Sequence, residues 1–135
     1  MNDETFLERF ERCQIAADDW GHREHIKAAY LYLRRMPFDV AVNRMRDGLK
    51  ALQAAFQVPD ALDRGYHETM TQAWMRLTHQ ALVEFGSCDS SEAFLERHPG
   101  LLSKEAVLGY YTKERIMSVE ARREFVGPDL RALPA

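Results

Sequence analysis

Two short segments of the chain concentrate the side chains that could do chemistry. The first places His22 and His25 three residues apart, and the second has Tyr66, His67 and Glu68 in consecutive positions. Residues three or four apart share one face of a helix, so His22 and His25 can face the same neighbour. Neutral imidazole is a good ligand for zinc, nickel and iron. We therefore predict that His22, His25 and His67 meet in one site and bind a divalent transition metal.

The carboxylate of Glu68 gives this predicted site an acid–base group. A bound cation would acidify a water molecule for attack on a small substrate, with Glu68 as general base or fourth ligand. The His-Glu pair also begins the HExxH pattern of zinc proteases, but the fifth position is Thr71, which excludes that class. Alternatively, Glu68 is simply an acid favoured in the first turn of a helix. Glu68 is the one catalytic residue that the sequence predicts.

Three further residues are predicted to line the pocket. Tyr66 could offer its hydroxyl beside His67, and Trp74 lies on the inward side of the same helix. Thr71 could hydrogen-bond His67 and fix its tautomer, or it could bond back to its own helix. The remaining histidines, His79 and His98, are predicted to be structural, and alanine at either position should change stability little.

The elements that must position these residues are helices. Apolar residues recur every three or four positions, which predicts an all-α, single-domain, compact bundle of about five to seven helices over residues 1–135. The first helix carries the stripe Phe6, Phe10, Cys13 and Ala17, with Asp3 as its N-cap. Further helices are predicted at about 22–36, 39–56, 66–85 and from 90 or 91 to 97, with two shorter pieces beginning after Ser103 and Thr112. A turn-rich loop is predicted over 58–65, and the proline-containing tail, 127–135, should be extended.

Composition excludes several classes of protein. The chain has 135 residues, 46% of them hydrophobic, which suits one core, and no apolar run approaches the length of about 20 residues that spans a bilayer. A net charge of −3, with acids beside most bases, disfavours nucleic acid. The basic pairs at 34–35 and 122–123 are attributed to exposed helix faces. Two distant cysteines without a CxxC motif, and an acidic N-terminus unlike a secretory signal, favour the cytoplasm.

The same motifs resemble those of a family of small bacterial proteins, largely without assigned function. That family shows an aromatic-x-His-x-x-His-Leu segment, a Tyr-His-Glu-Thr-x-Thr segment, a Tyr-Tyr pair and a Pro-Asp-Leu tail. The corresponding stretches here are 20–26, 66–71, 110–111 and 128–130, and they extend over most of the chain. Trp20 and Ile26 replace the more usual Phe and Leu. The resemblance implies that these polar residues belong to one common site.

Two functions remain open from the sequence. In the first, the chain is a metal-dependent protein acting on a small molecule, with the three histidines as ligands. In the second, it is a non-catalytic helical module that binds a ligand or a protein, and the histidines only join a buried hydrogen-bond network. The sequence decides neither whether the chain is an enzyme nor its oligomeric state.

Overall fold

The computed structural model describes residues 1–59, 61 and 64–134, and it confirms the all-α prediction. Within these residues there are seven α-helices and no strand of a sheet. The helices are α1 (Asp3–Glu11), α2 (His22–Leu33), α3 (Phe38–Ala55), α4 (Glu68–Phe85), α5 (Ser91–Arg97), α6 (Lys113–Ile116) and α7 (Val119–Arg123). Short 3₁₀ segments occur at Ala17–Asp19, Pro99–Leu102 and Lys104–Gly109. No helix in this part of the chain is long and apolar enough to cross a membrane.

Helix α2 lies at the centre of the bundle. Every residue from Ile26 to Leu33 is buried, and α2 packs against α1, α3, α4 and α5. A helix that is buried on all sides needs apolar residues all round rather than a single stripe, which this run supplies. Lys27 is the exception in the run, and its ammonium reaches Glu92 at 3.2 Å.

Two clusters of buried side chains divide the core. One joins α1, α2 and α3, and the other joins α4 to the C-terminal third of the chain. Helix α4 contacts α2, α3 and α7, so it lies where the two halves meet. The segment after α7 runs without regular helix along α4, as predicted for the tail.

The first helix is shorter than its apolar stripe predicts. It ends at Glu11, because Cys13 adopts a φ of +55°, a left-handed conformation that interrupts the helical path. Its N-cap is Asn2 rather than Asp3, and the Asp3 carboxylate instead accepts hydrogen bonds from the backbone N–H and hydroxyl of Ser91.

The other boundaries lie close to those predicted. Helix α2 ends at Leu33, and α4 begins at Glu68 and ends at Phe85, with Gly86 as its C-cap at a φ of +82°. Ser90 and Thr112 cap α5 and α6 with their hydroxyls. Part of the loop predicted over 58–65 lies outside the described residues.

Candidate functional site

His67 caps the start of α4, and both of its ring nitrogens are engaged. Its Nδ1 accepts the backbone N–H of Met70 at 3.0 Å, and its Nε2 lies 2.7 Å from the carbonyl oxygen of Ile116. An acceptor at Nδ1 and a carbonyl at Nε2 together specify the neutral tautomer with the proton on Nε2. Burial is the main cause that lowers the pKa of His67. His67 therefore joins α4 to the end of α6.

The next residue, Glu68, points to another side of the helix and is saturated with donors. Arg46 on α3 donates through Nε at 2.8 Å and Nη2 at 2.7 Å, one to each carboxylate oxygen. The Tyr66 hydroxyl donates at 2.7 Å, and the Gln72 amide at 2.6 Å. Burial alone would raise the pKa of Glu68, but these donors outweigh it and lower the pKa to about 2.

A pocket of about 670 Å³ opens beside this network. We call it the basic pocket, and six of the side chains that line it are Arg46, Lys50, Tyr66, Glu68, Arg122 and Arg123. Glu124 and Phe125 form its wall on the side of the C-terminal tail, and Ala61 completes the lining. The pocket thus has four cationic side chains, and one of its two carboxylates, Glu68, is already neutralised by Arg46.

The other cations of the basic pocket are held without ion pairs among the described residues. The Lys50 ammonium lies 5.1 Å from the centre of the Tyr66 ring. Arg122 donates through Nη1 to the carbonyl of Gly65 at 3.1 Å, and its buried Nε meets no acceptor in this part of the chain. Arg123 extends from the exposed side of α7. Asp60 and Asp63 lie outside the described residues.

His22 and His25 lie at the start of α2, in a different and smaller cavity of about 270 Å³. We call it the histidine pocket, which is lined by Trp20, Gly21, His22, His25, Met70, Trp74 and Lys104. The ring centres of His22 and His25 are 6.3 Å apart, and the His22 ring meets Trp74 edge-on at 4.4 Å. The Nε2 of His22 donates to the carbonyl of Leu101 at 2.9 Å.

His25 differs from the other site histidines in its hydrogen bonding. Its Nε2 is buried and has no partner among the described groups, although the residue as a whole is only half-buried. Burial, and secondarily the neighbouring His22, lower the pKa of His25 to about 4. The ring is therefore neutral near pH 7, with one nitrogen that donates and one that accepts.

The residues predicted to share one site are thus divided between two pockets. His22, His25 and Trp74 line the histidine pocket, whereas Tyr66 and Glu68 line the basic pocket. His67 and Thr71 contribute to neither lining. The Thr71 hydroxyl bonds back to the carbonyl of His67 at 3.0 Å, the alternative considered from the sequence. No group of three or more His, Cys, Asp or Glu is arranged around a metal position in the described part of the chain.

Sequence reasoning missed the cations of the basic pocket. Arg46 is 22 residues from Glu68, and no local sequence pattern predicts that pairing. The sequence favours an exposed helix face for the pair at 122–123, which holds for Arg123, whereas Arg122 is partly buried and bonds to Gly65. The position of this pair just before the tail was the available signal, because the tail folds back onto α4.

No family model matches the chain, and no curated protein or solved structure matches it either.

Proposed function

We propose that this protein binds a small anionic molecule, bearing a phosphate or carboxylate group, in the basic pocket. The observation that carries the proposal is the convergence of Lys50, Arg122 and Arg123 on one pocket without ion-pair partners in the described chain. Guanidinium groups suit the planar and tetrahedral oxygens of carboxylates and phosphates, and lysine adds a compact charge. The chain has a net charge of −3, so the excess of positive charge in this pocket is opposite in sign to the charge of the whole chain.

The pocket wall favours binding because it is fixed in advance. Arg46, Tyr66 and Gln72 hold the Glu68 carboxylate through four hydrogen bonds, which leaves little freedom to lose when a ligand arrives. Arg122 is restrained in the same way by its bond to Gly65. An anion would therefore meet two cations, Arg46 and Arg122, that are already in place.

A binding role suits Glu68 better than a catalytic one. A general base works best with a pKa near the working pH, whereas the donors around Glu68 lower its pKa to about 2. Its oxygens are also occupied by Arg46, Tyr66 and Gln72. In the proposed function Glu68 positions Arg46, and its catalytic role stays a prediction from the sequence.

The metal site of His22, His25 and His67 also stays a prediction. Since both nitrogens of His67 are engaged by the protein, a metal would have to displace the Ile116 carbonyl or the cap of α4. Elemental analysis of protein purified without a histidine tag tests this directly, and one equivalent of zinc, nickel or iron would support it.

Calorimetric titration with inorganic phosphate and with citrate tests the anion proposal. We expect saturable binding of at least one of them that weakens as salt rises, because exposed charges are screened. Lys50→Gln and Arg123→Gln should each weaken binding about three- to tenfold, since each removes one charge from an exposed site. Arg97→Gln, an exposed arginine on α5, is the matched control.

Two results would overturn the proposal. One is the absence of saturable binding of either anion at low salt. The other is an equal loss of affinity in Arg97→Gln, which would mean that the net charge of the protein, and not the basic pocket, attracts the anion.

A further inference from the structure

The histidine pocket is a second cavity, separate from the site of the proposed function. Its walls are mainly large apolar side chains: Trp20, Met70 and Trp74. Trp74 is 3% exposed, and Trp20 is fixed by stacking on Phe10, with ring centres 5.0 Å apart and planes 8° from parallel. At about 270 Å³ the space exceeds that of a cavity of about 150 Å³ that accepts benzene, so a substituted ring can fit.

The pocket also has one polar group without a partner. His25 lines the cavity, and its Nε2 is buried without a hydrogen bond to any described group. A ligand that enters the pocket would contact the His25 ring. A hydroxyl can pair with a neutral imidazole nitrogen in either tautomer, because it can both donate and accept.

A cation lies at the edge of the same cavity. Lys104, the first residue of a 3₁₀ segment, lines the pocket, is exposed and has no ion pair among the described residues. No carboxylate lines the pocket to oppose a negative ligand. Aromatic walls, a polar group and a cation at the edge together define one class of ligand.

We propose that the histidine pocket binds a small planar aromatic carboxylate that carries a ring hydroxyl. The ring packs against Trp74 and Met70, and the carboxylate meets Lys104. The hydroxyl pairs with Nε2 of His25 after the imidazole turns to expose this buried atom to the pocket. This site is independent of the basic pocket, whose lining shares no residue with it.

The chain provides its own reporter for this proposal. It has two tryptophans, Trp20 and Trp74, and both line the histidine pocket. Titration with 4-hydroxybenzoate should give a saturable change in tryptophan emission. We expect a Kd of about 1 mM or tighter, which is ordinary for a ligand of about ten heavy atoms. Isothermal calorimetry on the same samples should give the same Kd.

Three analogues test each part of the ligand. Benzoate lacks the hydroxyl and should bind about fivefold more weakly. Cyclohexanecarboxylate lacks the flat ring, and 4-hydroxybenzyl alcohol lacks the charge, so each should bind at least about threefold more weakly. Equal affinity for all four compounds would overturn the assignment of ligand class.

Two variants distinguish this pocket from the basic pocket. Lys104→Gln, at an exposed position where folding is not at risk, should weaken 4-hydroxybenzoate about fivefold. Lys50→Gln should leave it unchanged while weakening phosphate or citrate. The opposite pattern, or no saturable signal in the wild-type protein, would overturn the proposal.

A measurement on the unaltered protein tests the role of His25. The imidazole nitrogen resonances of His25 should shift on titration with 4-hydroxybenzoate, with the same Kd as the fluorescence. Those of His79, which lies outside the pocket, should not. A shift of His79 without one of His25 would place the ligand elsewhere.

Discussion

Arg46 on α3 and Glu68 on α4 form a two-pronged ion pair, in which Nε and Nη2 donate to separate carboxylate oxygens at 2.8 and 2.7 Å. The Glu68 side chain is 11% exposed and that of Arg46 is 27% exposed. Planar guanidinium and carboxylate groups match in this geometry, which adds geometric specificity to the contact between the two helices.

The two partners of this pair should depend on each other for their contribution to stability. Arg46→Met leaves a nearly buried carboxylate with fewer donors and should lower the free energy of unfolding by about 2–3 kcal/mol. In the double variant Arg46→Met/Glu68→Leu, the two losses should fall short of additive by about 1–2 kcal/mol. Urea unfolding of the wild type, Arg46→Met, Glu68→Leu and the double variant gives the comparison. Strictly additive losses would mean that the pair contributes no coupling.

His25, whose Nε2 is buried, should make the protein sensitive to mild acid. Its pKa falls from 6.5 in the unfolded chain to about 4 in the folded protein, so below pH 6.5 the unfolded chain takes up the proton first. Stability should therefore be complete above pH 6.5 and decline as the pH falls to about 4. Melting temperatures across this range should show a shallower decline for His25→Phe than for the wild-type protein.

His67 should matter for stability through two separate bonds. His67→Ala removes both the cap on Met70 and the bond to the Ile116 carbonyl, at a cost of about 1–3 kcal/mol. His67→Asn can still cap the helix, so its loss should be intermediate. Chemical denaturation measures both. An asparagine variant as unstable as alanine would show that the bond to Ile116 dominates.

Thr69 should hold the C-terminal segment in place. Its hydroxyl donates to the carbonyl of Glu124 at 2.9 Å and accepts the N–H of Val126 at 3.1 Å. Thr69→Val has the same shape but leaves two backbone groups without a partner, at a cost of about 1–3 kcal/mol. Limited proteolysis should then cut the tail sooner. Thr5→Val, at an exposed position, should not accelerate cleavage.

Gly48 should not tolerate a side chain. A Cβ built there would lie 2.5 Å from two ring atoms of Phe10, which is itself fully buried in the core. Gly48→Ala should therefore destabilise the protein by about 1–3 kcal/mol through overpacking. Gly109→Ala adds the same methyl group where nothing lies within 4 Å, so its melting temperature should stay close to that of the wild type.

The fold was largely predictable because helical periodicity is a local signal. The stripes of α3 and α4, with Pro37 before one and Gly86 after the other, suffice to place those helices. The end of α1 was not predictable, because the left-handed conformation of Cys13 has no sequence signature. The short α7 was missed as well, since it has little apolar pattern and is stabilised by the Ser118 cap and by packing on α4.

The site was predictable only where its parts are close in sequence. The approach of His22 to His25 follows from their spacing, but the orientation of His67 depends on Ile116, 49 residues away. The contacts of His98 were not predicted from the sequence either. It packs on the rings of Phe94 and Phe85, at 4.6 and 5.2 Å, with its Nε2 buried, so its replacement should cost more than a surface change.

The saturation of Glu68 also constrains how this sequence can vary between species. Because Arg46, Tyr66 and Gln72 donate to the same two oxygens, replacing the acid would leave three donors without their acceptor. Natural variants should then retain all four side chains or exchange them as a group. These positions should change far more slowly than Arg97, an exposed arginine that lines neither pocket.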